Sequence, residues 1–275
     1  MHEVVAGGAS IPALGLGTYE LTGSACSDLV AHALNIGYRH IDTAAMYGNE
    51  TDVGRGLKAS SVAREDVFLT TKVWRSDIAP GDLQRSAEQS LRRLGVDQVD
   101  LLLIHWPNFS VPLAGSIEAL NDARRKGYAR HIGVSNFPTW LLDEAVGLSE
   151  APLVAEQAEY HPYLDQSKLL AACRRQGMAF VSYCPLYRGA LLDEPAVTAA
   201  ARRTGKTPGQ VVLRWHMQQP GVVAIPRTSR RERLAENLDI FDFELSQAEM
   251  DAISALTRRG ERLVDQEFPP GRGWD

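Results

Sequence analysis

The chain has 275 residues, 44% hydrophobic and 23% charged, enough apolar side chain to bury a large core, which excludes disordered and fibrous classes. Its formal net charge of −5 repels phosphate backbones and anionic lipid over most of the surface, so neither nucleic acid nor membrane is an expected partner. Cys26, Cys173 and Cys184 show no CxxC spacing, fitting neither a disulfide framework nor a zinc site, and no metal is expected. Met1 to Ser10 lacks the basic start and apolar stretch of a signal peptide, and no apolar run reaches the roughly 20 residues that span a bilayer, so a cytoplasmic protein is expected.

In chain order, the pair Gly7-Gly8 between two short runs predicts a small hairpin, placed to plug one end of the fold. Eight strands follow, at Ala13 to Gly17, Tyr38 to Asp42, Val67 to Lys72, Val99 to His105, His131 to Val134, Val154 to Ala158, Ala179 to Tyr183 and Val222 to Ile225. Several are apolar almost throughout, as strands covered on both faces are, which implies parallel pairing. Helices fill the gaps. Ser24 is expected to cap one running to Asn35, and Pro80 to open another carrying Leu83, Ala87, Leu91 and Leu94 on one face. Thr207 with Gln210, and Ser246 with Glu249, form capping boxes, the first with Pro208 at the opening helical position.

Strand and helix alternate eight times without linker or repeat, which predicts one domain over 1–275, an α/β chain closed as a (β/α)8 TIM barrel. An open doubly wound sheet is disfavoured because Gly15 and Gly17 supply only two glycines of the dinucleotide-binding turn. The stretch after Gly260, with Pro269 and Pro270, reads as an irregular C-terminal tail over one barrel end.

Chemistry in a parallel barrel sits at the carboxyl ends of the strands. There stand Asp42, Tyr47, Lys72 and His105. Singly, each has an ordinary structural role: a loop cap, a packed ring, a rim charge, a core histidine. An acid, a phenol, an ammonium and an imidazole at successive strand ends are harder to explain as packing, since buried Asp and Lys must pair.

Five stretches carry a family resemblance: Gly37 to Gly54 (GYRHIDTAAMYGNETDVG), Thr70 to Trp74 (TTKVW), Ile104 to Pro107 (IHWP), Ile132 to Phe137 (IGVSNF) and Ile225 to Asn237 (IPRTSRRERLAEN). Over nearly its whole length the chain resembles the aldo-keto reductase family. In its short loops and terminal Trp274-Asp275 it is most similar to the bacterial 2,5-diketo-D-gluconate reductases of the B type, which also reduce dicarbonyls such as methylglyoxal. The resemblance implies NADPH-dependent reduction of aldehydes and ketones. Tyr47 would be the proton donor, Lys72 and Asp42 its tuning pair, and His105 the group that orients the carbonyl. An unperturbed Tyr has a pKa of about 10, and a neighbouring cation can lower such a value by roughly 1–3 units, so Lys72 is expected to acidify Tyr47.

For the cofactor, NADPH/NADP, the resemblance implies Ser135, Asn136 and Gln157 on the carboxamide and Tyr183 stacked on the ring, with Pro185 and Leu186 beyond it. Thr18, Tyr19 and Asp42 would lie near both cofactor and substrate. Arg227, Thr228 and Arg233 would hold the 2′-phosphate, a site suited to guanidinium groups, while Glu236 and Asn237 would contact adenine. The family more often carries Lys where Arg227 stands. Tyr19, Tyr47, Trp74, His105 and Trp106 would wall the substrate pocket, with Trp274 a further candidate. The short loop from Asn108 to Leu113 predicts an open mouth tolerant of small dicarbonyls, keto-sugar acids such as 2,5-diketo-D-gluconate, and aromatic aldehydes. A monomer is expected.

Two other functions share these residues: an aldolase forming a Schiff base on Lys72, and a non-enzymatic dinucleotide-binding regulatory protein. Arg227, Arg230, Arg231 and Arg233 could also form a solvated helix start or a nucleic-acid patch, which the acidic remainder and the lack of aromatics disfavour.

Overall fold

A computed structural model describes residues 2–275, and Met1 lies outside the described residues. A hairpin comes first, β1 (Glu3–Ala6) antiparallel to β2 (Ala9–Pro12). Eight parallel strands follow: β3 (Leu16–Gly17), β4 (His40–Asp42), β5 (Phe68–Val73), β6 (Val99–Ile104), β7 (Ala129–Ser135), β8 (Leu153–Glu159), β9 (Ala179–Tyr183) and β10 (Val222–Ala224). Each pairs with the next in sequence. The two ends also meet, because Gly15 N–H donates to Ala224 O at 2.9 Å and Ala224 N–H to Ala13 O at 2.8 Å. The sheet is therefore the closed barrel expected, not an open one. These bonds also explain why the first strand is shorter than predicted: residues 13–15 join β10 rather than extend the ladder with β4. Tyr38 likewise falls outside β4, since its N–H turns back to Ala33 O at 3.0 Å.

Ten helices pack outside the barrel among the described residues: α1 (Gly23–Asn35), α2 (Glu50–Ala59), α3 (Asp82–Leu94), α4 (Leu113–Arg125), α5 (Thr139–Leu148), α6 (Ser167–Gln176), α7 (Pro195–Thr204), α8 (Pro208–Met217), α9 (Arg231–Leu238) and α10 (Gln247–Ser254). Helix α8 covers β10 and α9 closes the ring onto α1, which leaves α7 and α10 as an additional pair packed on each other. Leu83, Ala87, Leu91 and Leu94 are buried on one face of α3, as their spacing predicts. Glycine at Gly54 lets α2 approach the end of α3, because a Cβ there would run into the Leu94 carbonyl.

Two helix starts differ from expectation. Ser24 does not cap α1; it lies inside the first turn, and the Gly23 N–H is satisfied instead by Asp52 Oδ2 of α2 at 2.7 Å. Pro80 stands before α3 rather than opening it. There Gln84 reaches back to Gly81 N–H at 2.7 Å, half of a capping box, since glycine has no side chain to complete it. Both predicted boxes form: Thr207 Oγ1 accepts Gln210 N–H at 3.3 Å and Ser246 Oγ accepts Glu249 N–H at 3.3 Å.

The hairpin closes the barrel's amino end. Val4, Ala6 and Ile11 are buried, and Gly7, at φ +55, brings the turn so near the start of β8 that a Cβ would stand 2.8 Å from Val154 Cγ1. The opposite, carboxyl end is crossed by the tail, whose Leu263 and Val264 N–H groups donate to the Glu159 carboxylate at 2.7 and 2.8 Å. Asp275 then accepts the Thr139 N–H at 3.0 Å. No helix among the described residues is long and apolar enough to cross a membrane.

Candidate active site

Asp42 ends β4, and the 3-10 turn Ala45–Tyr47 directs Tyr47 back over the strand ends. Lys72 is the penultimate residue of β5, and His105 lies just past β6, its N–H still bonded to Val73 O at 2.9 Å. The barrel brings all four together. Lys72 Nζ, with no exposed surface, donates to Asp42 Oδ1 at 2.5 Å and Thr43 O at 2.9 Å, and stands 3.4 Å from Tyr47 Oη. Asp42 Oδ2 accepts from Gln157 Nε2 at 2.8 Å. The rings of Tyr47 and His105 meet edge to face at 5.6 Å. Tyr47 is half-buried, whereas Asp42, Lys72 and His105 are buried.

Burial pushes the Tyr47 phenol well above its usual value, and the Asp42 carboxylate adds to the rise, so desolvation opposes the acidification expected from the Lys72 ammonium 3.4 Å away. Burial also lowers Lys72, opposed by the charge and hydrogen bond of Asp42 and by Glu50. His105 is held well below the ordinary histidine value by burial and then by Lys72, and is neutral. Its Nδ1 is buried without a partner.

A second connected group surrounds the end of β7. Ser135 Oγ donates to Gln157 O at 2.8 Å, Asn136 Nδ2 to His105 O at 3.0 Å, and Tyr183 Oη to Asn136 Oδ1 at 2.8 Å. Pro185 and Leu186 lie in the turn after β9, and Thr18 bonds the Asp42 carbonyl at 3.0 Å. The predicted anion ligands are less converged. Arg227 Nε donates to Tyr19 O at 3.1 Å, Thr228 Oγ1 closes a turn on Arg230 N–H at 3.0 Å, and Arg233 pairs with Glu236 at 2.6 Å. Glu236 is further engaged by Thr207 Oγ1 at 2.6 Å, while Asn237 is buried and engages the Tyr38 hydroxyl. Arg230 and Arg231 are exposed and form no ion pair among the described residues.

Aromatic rings enclose the mouth. Tyr19 meets Tyr47 at 5.1 Å, Trp74 meets His105 at 5.2 Å, and Trp106 meets Trp274 of the tail at 6.1 Å. Trp274 is fixed under the Arg262 guanidinium at 3.9 Å and donates to Asp265 at 2.6 Å. Several residues that build the site were not singled out in the sequence. Asn49 ties Thr18 O and Leu21 O, at 2.7 and 2.8 Å, to the Thr43 hydroxyl at 3.0 Å. Buried Glu50 joins Thr71 at 2.5 Å to Arg93 at 2.7 Å. Glu156 is wholly buried in β8. For Glu156 the available signal was a charge inside a predicted strand.

The family model of the Aldo/keto reductase family matches residues 13–258. A glyoxal reductase of Bacillus subtilis (strain 168) is 42% identical over 252 residues, 91% of each chain. An aldo-keto reductase of Mycobacterium tuberculosis (strain ATCC 25618 / H37Rv) is 44% identical over 250 residues, 90% of this chain and 88% of that one. Among solved structures, one provisionally named 2,5-diketo-D-gluconic acid reductase B superimposes with a TM-score of 0.96 at 46% identity, covering 100% of this chain and 98% of its own.

Proposed function

The chain belongs to the aldo/keto reductase family, and from that premise we propose that it reduces small aldehydes and ketones to alcohols with NADPH, Tyr47 protonating the carbonyl oxygen. The observation that carries this reading is the enclosed Lys72 Nζ, shared among Asp42 Oδ1, Thr43 O and Tyr47 Oη.

The surroundings fit a nicotinamide dinucleotide. Gln157 Oε1 has no hydrogen bond among the described residues while Nε2 is held by Asp42, and the guanidinium groups of Arg230 and Arg231 are exposed. Unpaired polar groups thus remain near both the carboxamide and phosphate ligands that the family resemblance implies. Ser135, Asn136 and Gln157 would hold the carboxamide, and Arg227, Thr228 and Arg233, with Arg230 or Arg231, the phosphate. When bound, the reduced nicotinamide supplies the hydride.

The chain's own part is to bind and polarise the carbonyl and to supply a proton. Because burial keeps Tyr47 protonated across the neutral range, its proton is always available. An alkoxide is far more basic than a phenolate, so the transfer runs downhill without an acidified tyrosine. The buried Nδ1 of His105 has no acceptor, so its proton belongs on Nε2, where it can donate to the carbonyl oxygen.

The aromatic mouth and the names of the glyoxal and 2,5-diketo-D-gluconic acid reductases among the relatives favour small dicarbonyls, keto-sugar acids and aromatic aldehydes. A Schiff-base aldolase is disfavoured, because Lys72 is fully enclosed by acceptors and presents no lone pair to a substrate. The test is NADPH oxidation with methylglyoxal, 2,5-diketo-D-gluconate and benzaldehyde. Tyr47→Phe should lower kcat by about 10²–10⁴-fold at unchanged stability. Equal turnover in the variant would remove Tyr47 from its role.

A further inference from the structure

Glu156 is a carboxyl with no exposed surface on β8, beside Gln157 but outside the catalytic constellation. Its Oε1 accepts the Phe137 N–H at 3.0 Å, and its Oε2 has no partner. Burying an unpaired acid is unfavourable for stability, and an unsatisfied buried oxygen calls for an explanation. The residue it touches supplies one. Phe137 follows Asn136, which sits at φ +63, in the left-handed region that non-glycine residues seldom enter. In that conformation Asn136 directs its amide nitrogen to His105 O at 3.0 Å and receives the Tyr183 hydroxyl on Oδ1 at 2.8 Å.

From this chain of contacts we propose that Glu156 is a positioning residue: by anchoring the Phe137 N–H it holds the strained turn at Asn136, and so sets the nicotinamide-binding amide and the backbone of His105. The flanking bond, Asn136 N–H to Gln157 O at 2.9 Å, fixes only the near side of the turn; Glu156 fixes the far side. Burial pushes the Glu156 carboxyl well above its usual range, with Asp275 adding to the rise, which fits a group serving as a hydrogen-bond acceptor rather than as a counter-ion. A neutral amide of the same length would serve equally.

The proposal rests on the NADPH reading above, and its test separates the two. Binding of NADP+ and of adenosine 2′,5′-bisphosphate would be titrated by tryptophan fluorescence, alongside steady-state turnover. Glu156→Gln keeps the acceptor and should match the parent in both. Glu156→Met removes it: NADP+ should bind about 10-fold more weakly and kcat should fall by about 10- to 100-fold, with the carbonyl KM nearly constant. The bisphosphate, which lacks the nicotinamide, should bind as before. If the Met variant does not fold, Glu156→Asp, which withdraws the acceptor by one methylene, carries the same expectation. In an Asn136→Ala background, Glu156→Met should lower kcat no further. A Met or Asp variant that binds NADP+ and turns over like the parent, or that weakens both nucleotides alike, overturns the proposal. A parent that binds neither nucleotide overturns the NADPH reading instead.

Discussion

Gln157 Nε2 donates to Asp42 Oδ2 at 2.8 Å, a bond that crosses the barrel mouth from β8 to β4, four strands away around the closed sheet. Asp42 is thereby divided between two roles: Oδ1 balances Lys72 and Oδ2 is held by the opposite wall. A buried charge is tolerated here because every partner is in place. Lys72→Met should therefore destabilise the fold by about 3–5 kcal/mol, since it strands a buried carboxylate with one amide for company. The double variant Lys72→Met with Asp42→Asn leaves no charge behind and should recover part of that loss while remaining inactive. Urea unfolding of the two variants checks this, and equal destabilisation would show that the ion pair is not what the buried site depends on.

Asp42, Tyr47, Lys72 and His105 were legible because strand ends of a parallel barrel are where polar side chains need a reason, and their spacing places all four on one mouth. The capping boxes at Thr207 and Ser246 were legible because all their atoms lie within one turn. What was not legible depends on chain segments far apart. Asp52 satisfies Gly23 from another helix, so no local pattern could replace Ser24 as the cap. The rise that burial imposes on the Tyr47 phenol was hidden for a related reason, since enclosure by the barrel is not written in the local sequence. Asn49 and Glu156 act through backbone carbonyls and N–H groups, which a sequence does not display.

At the end of the site where the phosphate is proposed to bind, Arg233 holds Glu236 at 2.6 Å while Arg227 leans on the Tyr19 carbonyl. A guanidinium to phosphate bond is charge-assisted and contributes about 1.5–3 kcal/mol. Arg233→Ala should accordingly raise the KM for NADPH by about 10- to 100-fold, at 1.4 kcal/mol per tenfold, and leave the KM for NADH nearly unchanged. Steady-state kinetics with the two coenzymes decides it. Equal losses for both would mean that Arg233 supports α9 and the Glu236 contact rather than the 2′-phosphate.

Three histidines are buried and held below their ordinary pKa: His40, His105 and His216. For His216 burial lowers the value to about 4, against the opposing effect of its contacts with Val212 O at 2.9 Å and Tyr160 O at 3.3 Å. The unfolded chain protonates such a group below about pH 6.5, whereas the native state keeps it neutral. The unfolded state then binds more protons, so the histidine contribution to stability should fall as pH drops from about 6.5 toward 4 and stay level above that window. For His216 alone the difference amounts to roughly 3 kcal/mol. Glu156, raised by burial, works the other way, because its native form holds a proton that the unfolded chain loses above about pH 4.5. The informative comparison is therefore between the parent and His216→Asn, with urea midpoints measured at pH 7 and pH 5. The variant should lose stability at pH 7 and show a shallower decline on acidification. Parallel declines would mean that His216 remains as easily protonated in the native barrel as in the open chain.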